Sequence, residues 1–188
     1  MKRLLLAAAF ALATATTAAA ALPAGVVESS YTAADGTRAL QESIEINAPP
    51  AVVWKVFSDP ATLKAAGLPD AWVDLRNGGT LEEAIAPGAK AGDERNIRHH
   101  IITYVPGRLM VLQNENTPPG LPGREAFKQI IQIVEVTDLG GGRSRLMLTG
   151  TGYGAGDGFT ALWAFFHDHN GEFLAGAKAQ AEALAKTK

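Results

Sequence analysis

Residues 44–60 read IEINAPPAVVWKVFSDP and change periodicity across a pair of prolines. Ile44 and Ile46 alternate with Glu45 and Asn47, the two-residue period of a strand with one apolar face. Pro49 and Pro50 cannot donate to a strand ladder, but their fixed φ suits the first turn of a helix. Val52, Val53, Val56 and Phe57 then recur at three- and four-residue steps, so a short amphipathic helix follows the strand directly.

Outward from this junction, residues 38–47 form the first strand, and 22–37 are read as an irregular lead-in. Pro60 opens a second short helix through the helix formers of 61–66, which Gly67 and Pro69 close. Strands are expected over 71–75, 80–85, 93–105, 108–114, 127–137 and 143–153, separated by turn formers such as Asn77-Gly78-Gly79, Pro106-Gly107 and Gly140-Gly141-Gly142. Such short connections make consecutive strands antiparallel neighbours. From 158 to 186 the period becomes helical, with Phe159, Leu162, Trp163, Phe166, Asn170, Phe173, Leu174 and Ala177 at helical steps, so a long helix closes the chain.

This order of elements, with the strand-to-helix junction at 44–60, resembles the START-like or SRPBCC superfamily over about residues 40 to 186. GDERNIRHHIITYVPGRLMVLQNE at 92–115 and LTGTGYGAGDGFTALWAFFHDHNGEFLAGAKAQ at 148–180 are similar to its polyketide-cyclase-like branch. A chaperone-ATPase-activator-like branch shares the layout. The resemblance implies an α+β helix-grip fold for residues 38–188. A curved antiparallel sheet of six to seven strands would wrap a long C-terminal helix, with two short helices after the first strand and a cavity inside. It implies no single activity, because that superfamily holds binders, transporters, enzymes and chaperone cofactors.

Lys2 and Arg3 precede an apolar run over 4–12 and then small residues ending in Ala18, Ala19, Ala20 and Ala21, the layout of a secretory signal. Residues 1–21 are therefore expected to be removed and the mature protein to be periplasmic or secreted. The apolar run is shorter than the roughly 20 residues of a membrane span, so stable membrane insertion is not expected. With no cysteine, stability must come from a core rather than from disulfides. The formal net charge is −2, and loss of Lys2 and Arg3 makes it more negative. Basic residues are scattered among acids, which excludes nucleic acid as the expected partner. Oligomeric state has no signature in the sequence.

Four histidines raise the question of a metal. His99 and His100 are adjacent on a strand and point to opposite faces, while His167 and His169 lie about 200° apart around a helix. Neither pair can chelate locally, so no metal is expected. The Ser residues have no Gly-x-Ser-x-Gly elbow, and the glycine run at 140–142 joins two strands rather than cradling a phosphate. No cofactor is expected.

What remains is polar residues on apolar faces. Leu81, Glu83 and Ile85 share a strand face, which turns the Glu83 carboxyl inward. Ile97, His99, Ile101, Thr103 and Val105 form the more apolar phase of the next strand, with His100, Arg98 and Tyr104 on the other. Leu109, Val111, Gln113 and Glu115 share a face, and Trp163, His167, Asn170 and Leu174 align along the closing helix. The candidate ligand-binding set is therefore Glu83, His99, Gln113, Trp163, His167 and Asn170, sparse polar groups in an apolar cavity. Trp54, Phe57, Phe165 and Phe166 read more simply as core. The leading expectation is an exported protein that holds a hydrophobic or amphipathic small molecule. One alternative is a cofactor-free cyclase or isomerase using Glu83 and a histidine as acid and base. Another is a protein-interaction module, which requires an exposed apolar patch and a largely filled interior. The proline-rich connection 114–125 is long enough to serve as a flap, or as a plain surface loop.

Overall fold

The structure, a computed structural model, describes residues 21–65 and 68–187, so the expected leader lies outside the described residues except for Ala21. Along the chain come β1 (Val26–Glu28), β2 (Tyr31–Thr32), β3 (Arg38–Ile46), α1 (Pro50–Ser58), α2 (Pro60–Ala65), β4 (Asp70–Val73) and β5 (Thr80–Ala84). Then follow β6 (Ile97–Val105), β7 (Leu109–Asn116), α3 (Arg124–Phe127), β8 (Ile131–Gly140), β9 (Arg143–Tyr153) and α4 (Asp157–Lys186). One nine-stranded antiparallel sheet runs β1-β3-β9-β8-β7-β6-β5-β4, with β2 pairing beside β1 on β3. Its inner face packs on α1 and the long α4, the helix-grip arrangement.

The proline junction folds as its residues dictate. Val52, Val53, Val56 and Phe57 of α1 are buried while Lys55 is exposed. Asp59 ends α1, and its Oδ2 accepts from the Thr62 N–H and Oγ1 at 3.0 and 2.6 Å, capping α2. Two core clusters result. One joins α1 to Ile44, Ile46, Leu146 and Leu174; the other joins Leu40, Phe127, Ile130, Tyr153 and Leu162 near the start of α4.

Three expectations need correction. The lead-in 22–37 is not irregular throughout, because Val26 pairs with Ile44 and Tyr31 with Ala39, which raises the strand count from six or seven to nine. The strand expected from 93 begins at Ile97, because residues 86–96 fold over the outer face onto Glu82. There Glu82 Oε1 accepts from the Gly92 N–H at 2.7 Å and from Asn96 Nδ2 at 2.6 Å. Finally, a register shift between Ile101 and Thr103 reverses the phase of β6, so that Tyr104 turns inward onto Trp54 and Ile102 is left exposed.

Glu82→Ala strips the fully buried Asn96 of that acceptor, and the expected result is a loss of about 1.5 kcal/mol in urea unfolding. An unchanged midpoint would mean that this loop is not held by Glu82.

Candidate functional site

Where the two core clusters meet α4, the inner face of the sheet leaves a cavity of about 460 Å³. Its wall takes Phe57, Leu81, Met110 and Leu112 from one cluster and Phe127 and Tyr153 from the other. From α4 it takes Phe165, Phe166, His169, Asn170 and Phe173. A second hollow of about 390 Å³ lies by the β6–β7 turn, between Arg108 and Asp138, and has no aromatic wall.

Glu83 and His99 both border the cavity. Across the β5–β6 pair Leu81 stands opposite His99 and Glu83 opposite Ile97, so Glu83 and His99 are diagonal neighbours on the inner face, with Cα atoms about 7–8 Å apart. Neither Arg76 nor Arg95 reaches Glu83; they pair with Asp74 and Asp93. Burial pushes the Glu83 carboxyl up to about 7 and pulls His99 down to about 4, because a charged form of either would be poorly solvated. His99 sits edge-on to Phe127 at 5.8 Å, and its Nδ1 is buried without a hydrogen-bond partner. His100 points outward, 3.9 Å from Glu115.

Asn170 also borders the cavity, but three of the expected residues do not. Gln113 lies on the outer face, donating to the Lys128 carbonyl at 3.2 Å, because Met110, Leu112 and Asn114 are the inward phase of β7. Trp163 lies under the Arg38 guanidinium at 4.4 Å and edge-on to Tyr153 at 5.1 Å, bracing that residue from behind. His167 turns to the sheet edge, where Nε2 is 3.6 Å from Glu28 and Nδ1 is 3.0 Å from Asp168. The reason is angular. Taking Phe166 as zero, Phe173 and Asn170 lie within about 40°, whereas Trp163 and His167 lie about 60° and 100° round toward β3.

His169 was missed by the sequence reading because it does not share the stripe's centre. Its Nδ1–H donates to the Phe165 carbonyl at 2.7 Å and its ring stacks on Phe165 at 3.9 Å. In the 114–125 connection, Leu121 reaches the cavity wall. Gly123, at φ +64°, packs so close to α4 that a Cβ there would stand 2.2 Å from the Gly158 carbonyl oxygen.

A second polar group lies behind the wall. Glu42 is fully buried on the inner face of β3 between Leu40 and Ile44, and neither carboxylate oxygen has a hydrogen-bond partner. Burial pushes its carboxyl up to about 7, against the pull of His167 and with the repulsion of Glu28 and Asp168. The Asp168 hydrogen bond raises His167, and burial with Glu42 raises Tyr153. Among the described residues, no group of three or more His, Cys, Asp or Glu is placed to hold a metal ion. None of the described helices is long and apolar enough to cross a membrane.

Several solved structures share this architecture. Protein Ms6760 from Mycobacterium smegmatis is 20% identical with a TM-score of 0.57, over 86% of this chain and 98% of that one. A protein from Rhodobacter sphaeroides is 14% identical with a TM-score of 0.60, over 86% and 98%. The Aha1 dimer from Colwellia psychrerythraea is 14% identical with a TM-score of 0.57, over 77% and 96%. At such identities the likeness shows the fold alone. Comparison with curated proteins gives no match. Residues 37–186, most of the chain and all of the cavity wall, match the family described as polyketide cyclase / dehydrase and lipid transport, and the protein therefore belongs to that family within the START-like superfamily.

Proposed function

We propose that the protein is an exported carrier that shelters one hydrophobic or amphipathic small molecule between the sheet and the C-terminal helix. The observation that carries this reading is the cavity itself, about 460 Å³ with aliphatic and aromatic walls and a few polar groups, the usual make-up of a small-molecule site. Apolar burial there contributes roughly 25 cal/mol per Å². Ile85 and Phe173 border the cavity yet remain 48% and 38% exposed, so the entrance has an apolar rim. Export rests on the leader-like pattern of 1–21. Leu22 and Pro23, which lie against Gly171 of α4, would both be kept by removal after Ala21.

Titration with Nile red, an uncharged apolar dye, tests the carrier reading; saturable one-to-one uptake is expected, and unsaturable partitioning would remove it. The intact mass of chain recovered from culture tests export. A chain starting near Leu22 is expected, and one retaining Met1 would contradict it.

The diagonal placement of Glu83 and His99, with burial raising the carboxyl toward neutral pH and lowering the imidazole, favours proton transfer as the second reading. Turnover would then vanish in Glu83→Gln and in His99→Phe without loss of fold. The protein-interaction reading required a largely filled interior, and the open cavity weighs against it.

A further inference from the structure

We infer that β1 is a pH-sensitive latch on the edge of the sheet, seated on β3 and α4 in acid and released as the pH rises past neutral. The inference goes beyond the carrier reading and does not depend on it.

The strand is held lightly. β1 is three residues long and ends the sheet, and of its side chains Val26 packs on the core while Val27 is 59% exposed. Its last residue, Glu28, stands directly opposite Glu42 in the ladder, so the two carboxyls share the inner face. Glu28 reaches α4 through His167, whose Nε2 is 3.6 Å away and whose Nδ1 is fixed by Asp168 at 3.0 Å. Just beyond β1 the chain is fastened again. The Ser29 N–H donates to the Gln41 carbonyl at 2.8 Å, the Ser29 hydroxyl to Gln41 Oε1 at 2.9 Å, and the Gln41 N–H to Ser30 Oγ at 3.1 Å. Residues 29–30 are therefore where the latch hinges.

Glu42 supplies the force. Its carboxyl is fully buried with neither oxygen hydrogen-bonded, and a charge left there without a partner is strongly disfavoured. β1 is the edge strand beside it, so lifting β1 brings water to that carboxyl. The groups around it are Glu28 of β1, His167 and Asp168 of α4, and Tyr153 of β9, with Arg38 of its own strand beyond Tyr153. Burial first of all holds the Glu42 proton up to about 7, and the Asp168 hydrogen bond holds the His167 proton above its usual range. In acid the cluster has two carboxylates against one imidazolium, a net charge of −1; once Glu42 and His167 have both lost a proton it has three carboxylates and no cation, a net charge of −3. The seated form binds more protons than the lifted one, so seating is lost as pH rises, and both groups act in that direction. In a chain cut after Ala21 the new α-amino group would stand near Gly171, one turn of α4 beyond His167 and Asp168, and would lose its charge in the same sense. Because α4 also carries Phe166, Asn170 and Phe173 of the cavity wall, the latch bears on the helix that closes the cavity.

Hydrogen exchange read by mass spectrometry at about pH 5 and pH 8, corrected for the intrinsic pH dependence of amide exchange, tests the latch on the whole protein. Protection of the peptide 22–30 is expected to fall at least about tenfold between the two, while that of 143–153 in β9 changes by less than about threefold. Glu42→Gln, which cannot ionise, is expected to hold the change in 22–30 within about threefold. Glu28→Lys, at a partly exposed position, puts an ammonium opposite Glu42 and is expected to do the same, so the test stands even where the buried variant folds poorly. Equal protection of 22–30 at both pH values would overturn the latch. So would an equal loss in 143–153, which would mean that the whole domain loosens, or a full-sized loss that persists in either variant.

Discussion

The double substitution Leu112→Trp with Val134→Trp is expected to weaken Nile red binding by at least about a hundredfold while the protein stays folded. Leu112 pairs with Gln132 and Met110 with Val134 across β7 and β8, so Leu112 and Val134 are diagonal neighbours on the inner face, and both border the cavity. Two indoles there fill space that is otherwise open. Overpacking a closed core costs about 1–3 kcal/mol, but here the added atoms enter the cavity, so the melting temperature is expected to fall little. Fluorescence titration with a parallel thermal melt checks both halves. Undiminished affinity in a folded variant would place the binding surface elsewhere.

Glu42→Gln is expected to change the pH dependence of stability more than any surface substitution. The Glu42 carboxyl has no accessible surface and sits opposite Glu28 in the β1–β3 ladder, with His167, Asp168 and Tyr153 around it. Its affinity for a proton rises from an ordinary 4.5 to about 7 on folding. Between those values the folded state binds more protons than the unfolded chain, so stability falls as pH rises through the window and the loss is complete above it. At about 1.36 kcal/mol per unit, the variant is expected to gain on the wild type by on the order of 3 kcal/mol between about pH 5 and pH 8. Glu83 slopes the same way; His99, lowered from 6.5 to about 4, slopes the other way, since it must be charged in the unfolded chain first. The variant leaves those two groups in place but also removes the pull of Glu42 on His167, so denaturant unfolding at the two pH values reads the Glu42–His167 pair. An equal stability difference at both would contradict a buried, proton-holding carboxyl.

Much of this architecture was legible because single residues forced it. The proline pair at 49–50 separates strand from helix, and the glycine run at 140–142 fixes the β8–β9 hairpin, so β9 falls on the expected 143–153. Alternation in β5 puts Glu83 beside Leu81, and alternation at the start of β6 puts His99 inward. The same argument applied to Leu40, Glu42, Ile44 and Ile46 would have exposed the buried Glu42, a signal that was present and unused.

Other features had no local signal. Leu109 and Val111 are as apolar as Met110 and Leu112, so alternation could not choose the inward phase of β7, and Gln113 was turned the wrong way. The bulge near Ile102 depends on pairing with β7 rather than on β6 itself. On α4 a broad stripe serves two neighbours at once. Whether Trp163 and His167 or Phe166 and Phe173 meet the cavity depends on how the helix is rolled against the sheet, which local periodicity does not encode. β1 and β2 are three and two residues long and form only because β3 offers an edge.

The central claim is that the cavity holds a small molecule, and native mass spectrometry of the protein taken gently from the cells that make it tests this most directly. The account predicts one small apolar adduct per chain, released on denaturation and absent from the Leu112→Trp, Val134→Trp variant. A chain that is bare from its native source and takes up nothing from that source's lipid and aromatic extract would contradict it.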